Sequence, residues 1–331
     1  MHLVRIVICV ALISMVTALS ARAQGLLRDP DIEYALSKLA EPILQISGLG
    51  PSSIDILIVN DGRLNAFVVD RSHIFINSGL IDRMKTPEML QAVIAHEAAH
   101  IANGHLARRT VNFRNARSAA GIGSILAAAA AVVSGAPEAA GALAAGVQTS
   151  ATRRFFAHTR AEENAADQTA LRYMTSAGID PIGMLDVLNL FRGQELLSTS
   201  RRDVYARTHP LSRDRFRVVE QAANANAGKF THNENSRYWF MRAKSKLSAF
   251  QRAPKWTLTR AGESGYADVK AMRQAVAHHR QSQAGKAIEY MQRAIAERPN
   301  DPYYYELFGQ ILFENRRFDA AVDAYAKAAE G

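Results

Sequence analysis

Apolar residues recur along this chain with two different periods. Residues 29–48 carry them at helical spacing, three or four apart. Residues 54–60, 64–69 and 73–76 form short blocks rich in Ile, Val and Phe, which predicts three strands. Asp61-Gly62, between the first two, has hairpin-turn chemistry, so the expected sheet is small and antiparallel. Helical spacing returns over residues 86–105 with Leu90, Val93, Ile94 and Ile101. Thr86 suits the cap of that helix, Pro87 its first turn and Glu88 the positive end of its dipole. A further helical run takes in residues 160–167 and stops near Gly178, before Pro181. Met184, Leu185, Leu188 and Phe191 then mark core-facing helix.

Three stretches need a separate reading. Residues 1–23 have the form of a secretory signal: Arg5, an apolar run over 6–19, then Ala21-Arg22-Ala23. Residues 119–147 are Ala/Gly-rich and almost uncharged, broken near Pro137 into halves that each fall short of the roughly 20 residues a membrane span needs. They are expected to form a short helical hairpin that packs on the rest of the protein or makes peripheral contact with a membrane surface. From Lys270 onward Ala287, Met291 and Ala294 recur as Ala321, Tyr325 and Ala328, a 34-residue period with tetratricopeptide spacing. The groove of such an array binds a peptide or a partner protein. The fold class is therefore α+β and mostly α, with a signal at 1–23, a main domain at 24–250 and a helical-repeat (α-solenoid) region at 251–331.

Charge and cysteine content remove several functions. The net charge of +9, less Arg5 and Arg22, leaves +7 after the signal. The basic pairs Arg108-Arg109, Arg153-Arg154 and Arg201-Arg202 are scattered without interleaved aromatics, so no nucleic-acid partner is expected. Cys9, the single cysteine, lies inside the signal. That excludes a cysteine protease, disulfides and a thiolate metal site in the exported chain.

The candidate chemistry sits in His96-Glu97-Ala98-Ala99-His100. On a helix, i and i+4 share a face, so two imidazoles converge where a zinc ion fits, with Glu97 beside them to take a proton from water. His105 projects about 140° away around an ideal helix and is expected as a cap or surface residue. The third ligand should come from a second helix, and Glu163 and Asp167 form another i, i+4 pair. One of them would bind metal while the other accepts a hydrogen bond from a ligating histidine.

His96-Glu-Ala-Ala-His100 followed by Glu163-Asn-Ala-Ala-Asp167 resembles the gluzincin metallopeptidases that include HtpX and the CAAX prenyl endopeptidases. Leu64-Asn-Ala-Phe67 resembles the strand preceding their active-site helix, and Thr208-His-Pro-Leu-Ser-Arg-Asp-Arg215 their His-Pro element. With the repeat tail, these motifs are similar to the BepA-like branch of periplasmic protease-chaperones. The resemblance implies one zinc per chain, Glu163 as third ligand, Glu97 as base and Asp167 as the partner of a ligating histidine. It implies that His209 approaches the zinc as a fourth ligand and holds the enzyme latent; the alternatives are stabilising the reaction intermediate or lining the cleft. Arg215 would orient a carboxylate or bind substrate. Asn65 and Phe67 would define a sheet edge onto which an extended substrate adds, unless Phe67 is simply core.

Three functions follow as expectations: a periplasmic zinc endopeptidase acting on unfolded or stalled envelope proteins, a chaperone or assembly factor with a latent protease site, and a zinc-stabilised scaffold without turnover.

Overall fold

The computed structural model describes residues 25–107, 160–198 and 201–330. The expected signal and the 119–147 hairpin lie outside the described residues. No helix among the described residues is long and apolar enough to cross a membrane.

The chain begins with β1 (Leu26–Leu27), α1 (Pro30–Ser47), β2 (Asp55–Val59), β3 (Ala66–Val68), β4 (His73–Asn77), α2 (Ser78–Arg83) and α3 (Pro87–Ala102). The four strands form one mixed sheet in the order β1-β2-β4-β3, which corrects the antiparallel expectation. β2 runs parallel to β4, pairing Ile56 with Ile74 and Ile58 with Ile76. β3 is antiparallel to β4, with Phe67 opposite Phe75. The reason lies in burial: Ile56, Ile58, Ile74 and Ile76 are all core residues, so their strands take the centre, and three-residue β3 is left at an edge. Asp61-Gly62 is accordingly no hairpin but a crossover past the end of β4. Gly79 N–H and Ser78 Oγ both donate to Asp61 O, and a Cβ on Gly79 would lie 2.1 Å from Gly62 O.

Helix α3 is the centre of the fold. Thr86 caps it through Met89 N–H, and every residue from Pro87 to Ile101 is buried. Such all-round burial requires neighbours on every side. They are α1, the sheet, α4 (Arg160–Ser176) and α5 (Ile182–Leu190). Gln91 Nε2 donates to Leu39 O of α1 at 3.1 Å. At the other side a Cβ on Gly183 would sit 2.4 Å from the Glu88 backbone, so α5 abuts the first turn of α3.

Next come α6 (Val204–Thr208), α7 (Arg213–Ala225), α8 (Glu234–Gln251) and the short α9 (Pro254–Thr259). Two apolar cores meet along α8: Phe240, Ala243 and Leu247 join the first, Tyr238 and Ala249 the second. Arg242 of α8, fully buried, pairs with Asp31 of α1 at 2.7 Å and with Asp301 beyond the next helices.

Helices α10 (Ala267–His279), α11 (Ala284–Glu297), α12 (Pro302–Glu314) and α13 (Phe318–Ala329) pack consecutively. Ser282 and Arg316 both adopt the left-handed conformation, at φ 58° and 60°, at the same point of their two helical pairs. The turns close alike: Gln283 N–H donates to His278 O and Arg317 N–H to Leu312 O, each at 2.9 Å. The periodicity of the sequence is thus a periodicity of the backbone.

Candidate metal centre

Helix geometry puts His96 and His100 one turn apart on α3, facing Glu163 on the first turn of α4. His209 arrives from a distant segment, immediately after α6, with its own N–H bonded to Tyr205 O. All four are at most 2% exposed. One ligand atom from each lies within 4.8 Å of the others. His96 Nε2 is 3.0 Å from His100 Nε2 and 3.3 Å from His209 Nδ1. Glu163 Oε1 is 3.4 Å from His100 Nε2 and 3.1 Å from His209 Nδ1, and its Oε2 is 3.5 Å from His96 Nε2.

Those separations test whether a metal fits. Ligands 2.0–2.1 Å from a tetrahedral zinc lie about 3.3–3.4 Å from one another. The five separations above, 3.0–3.5 Å, lie around that value, and imidazole nitrogens with a carboxylate form a zinc donor set. The residues present fit the ion.

A second layer fixes the donors. Asp167, one turn after Glu163, lies 3.0 Å from His96 Nδ1, so that nitrogen carries the proton and Nε2 points inward. Arg215, in the first turn of α7, grips both acids: Nη2 donates to Asp167 Oδ1 at 2.8 Å and Nη1 lies 2.7 Å from Glu163 Oε2. Its backbone N–H is taken by the Ser212 cap and its Nη1 donates to Pro210 O. His209 Nε2 donates to Ala66 O at 3.2 Å, leaving Nδ1 toward the cluster. Glu97 is fully buried, with Oε1 3.5 Å from His209 Nε2.

The electrostatics differ between the two histidines of α3 and keep both acids of α4 ionised. Burial opposes a charged His96, but hydrogen bonds to Asp167 and Glu163 prevail and raise its pKa to about 10. Burial, with repulsion from His96 and His209, holds His100 well below the usual histidine range. Against burial, His209 and Arg215 keep Glu163 well below the carboxylate range, and Arg215 does the same for Asp167.

Of the candidate residues, His96, Glu97, His100, Glu163, Asp167, His209 and Arg215 come together here. Asn65 is buried just before β3 and accepts from Thr208 Oγ1 at 3.4 Å. Phe67 stacks on Phe75 with centroids 5.2 Å apart. The expectation for His105 is corrected: it is 1% exposed, with Nδ1 2.8 Å from His100 Nδ1. Projection along an ideal helix misplaced it because α3 ends at Ala102, and Gly104 at φ 69° turns the chain back on itself. Gly104 directly before His105 was the available signal. Tyr205, its ring tilted against His209 with centroids 4.5 Å apart, had no local signature at all.

Comparison with known proteins converges on one family. The chain matches the sequence profile of peptidase family M48 over residues 27–223. It is 22% identical over 310 residues to the beta-barrel assembly-enhancing protease of Escherichia coli, covering 92% of this chain and 62% of that one. A putative beta-barrel assembly-enhancing protease of Vibrio cholerae is 27% identical over 196 residues, covering 58% and 39%. The mitochondrial metalloendopeptidase OMA1 of Schizosaccharomyces pombe is 28% identical over 193 residues, covering 56% and 51%. The chain thus spans less than two thirds of these relatives. Because the profile match takes in the whole residue cluster, from the first strand into α7, the chain belongs to peptidase family M48, a family of zinc metalloproteases.

Proposed function

We propose that this chain is a zinc-dependent endopeptidase of the periplasm, exported by the signal at 1–23, that cuts unfolded or stalled envelope proteins. The observation that carries this reading is the convergence of the His96, His100, Glu163 and His209 donor atoms, all within 4.8 Å of one another, beside the Glu97 carboxylate. His96, His100 and Glu163 hold one zinc ion, which when bound supplies the Lewis acidity to polarise a peptide carbonyl and acidify the attacking water. Glu97 accepts that water's proton and delivers it to the departing amine. Asp167 holds His96 in the tautomer that keeps its proton off the metal side, and Arg215 keeps both acids ionised.

His209 gates the site. It fills the fourth position, and an open fourth position is what catalysis needs. The segment that delivers it is bonded to the start of β3 and the residues leading into it: Tyr205 N–H donates to Leu64 O and His209 Nε2 to Ala66 O. Alternate carbonyls along an edge strand are those an added strand would use. An extended substrate pairing with that edge, shaped by Asn65 and Phe67, displaces the segment and withdraws His209.

The same occupied fourth position favours a second reading, in which the chain acts mainly as an assembly chaperone with a latent protease. There the pairs α10–α11 and α12–α13 are tetratricopeptide repeats that hold a partner protein, and residues 119–147 touch the membrane surface. The names of the bacterial relatives, which describe barrel assembly, support an envelope role.

Metal analysis of the purified chain, paired with casein digestion with and without a chelator, decides the reading. One zinc per chain and chelator-sensitive digestion are expected. A zinc-free chain, or digestion that ignores the chelator, overturns it.

A further inference from the structure

The two histidines of α3 are backed by different chemistry. His96 Nδ1 faces a carboxylate, Asp167, whereas His100 Nδ1 faces another imidazole, His105 Nδ1, at 2.8 Å. Both members of the second pair are buried, at 0% and 1% exposure. The rings meet edge to face, with centroids 4.9 Å apart and planes at 68°.

We infer that His105 is a positioning residue for zinc, acting through His100. The inference rests on the metal reading above. Two nitrogens 2.8 Å apart share one proton between them. His100 Nε2 lies among the ligand atoms, so its lone pair points inward and its proton sits on Nδ1. His100 therefore donates, and His105 Nδ1 accepts with its own proton on Nε2. That bond fixes both the tautomer and the plane of the His100 ring.

The acceptor here is neutral for a reason visible in the charges. Glu97, Glu163 and Asp167 already place three carboxylates in a closed pocket with one guanidinium, Arg215. A bound divalent cation balances that set, and a fourth carboxylate would leave the pocket negative at high desolvation cost. The position is reached because the helix stops: Gly104, left-handed, folds His105 back under His100.

The test separates the acceptor from mere packing. In Asn, Oδ1 occupies the place of histidine Nδ1, so His105→Asn keeps an acceptor where His105→Leu has none. Zinc affinity is measured by competition with a chromophoric chelator on the purified wild type and both variants. Thermal unfolding of the metal-free forms is followed in parallel. His105→Leu is expected to bind zinc about 10–100-fold more weakly, the usual cost of removing a partner of a ligating histidine. His105→Asn should stay within about threefold of wild type, and the metal-free melting points should not follow the same split. In the zinc-loaded protein, the His100 Nδ1–H proton resonance should persist in His105→Asn and vanish in His105→Leu. Equal affinity in wild type and His105→Leu overturns the inference, as does an equal loss in both variants. A wild type that binds no zinc overturns the metal reading itself and this inference with it.

Discussion

Arg215 and Asp167 form a buried two-pronged pair, with Arg215 reaching past Asp167 to Glu163 as well. One guanidinium thus pairs with both acids that α4 presents to the cluster. Removing it leaves two desolvated carboxylates with only the His96 imidazole beside them for a cation. Arg215→Met is expected to lower the stability of the metal-free chain by about 3–5 kcal/mol. Urea unfolding measures this; a loss below about 1 kcal/mol would mean the acids find another partner.

Glu97 is assigned to proton transfer and not to the ion. Glu97→Gln should therefore cut casein digestion at least about 100-fold while leaving one zinc per chain. Digestion and metal content are measured on the same preparation. A variant that still digests substrate removes Glu97 from the base role.

His209 presents the opposite case. If it blocks the fourth position, His209→Ala raises proteolysis, and initial rates of casein cleavage report it directly. Unchanged or lower rates would return His209 to the role of stabilising the reacting carbonyl or lining the cleft.

Ser282 and Arg316 spend conformational energy at their turns, since non-glycine residues at φ 58° and 60° are strained by about 1 kcal/mol each. Ser282→Gly and Arg316→Gly should each stabilise the tail by about 0.5–1 kcal/mol. Thermal unfolding of the single and double variants checks this, and equal gains are expected because the two turns are built alike.

The lowered pKa of Asp167 sets a pH dependence. Its folded value lies below the ordinary 3.8, so the unfolded chain takes up the proton first as pH falls. The stability contributed by ionised Asp167 is complete above about pH 4 and is lost below that, through the folded value. Asp167→Asn should flatten the acid limb of metal-free stability against pH. An acid limb of unchanged slope in the variant would assign the loss to other carboxylates.

What was legible in the sequence was local. The one-turn spacing of His96 and His100, the one-turn spacing of Glu163 and Asp167, the Thr86 cap and the repeat period all follow from 3.6 residues per turn acting over short distances. Their placement on helices needed no tertiary information. Tertiary structure decided what depended on closure between distant segments. β4 and not β3 pairs with β2, because the most apolar strands compete for the centre of the sheet. His105 folds under His100, because the helix ends at Ala102, three residues before it, so helical projection does not apply. His209 meets a cluster assembled from two other helices, because the Tyr205–His209 segment is held by Leu64 O and Ala66 O at the entry to β3. Side-chain spacing within a helix is set by covalent geometry; which helix end or strand edge a remote residue reaches is set only by how the whole core packs.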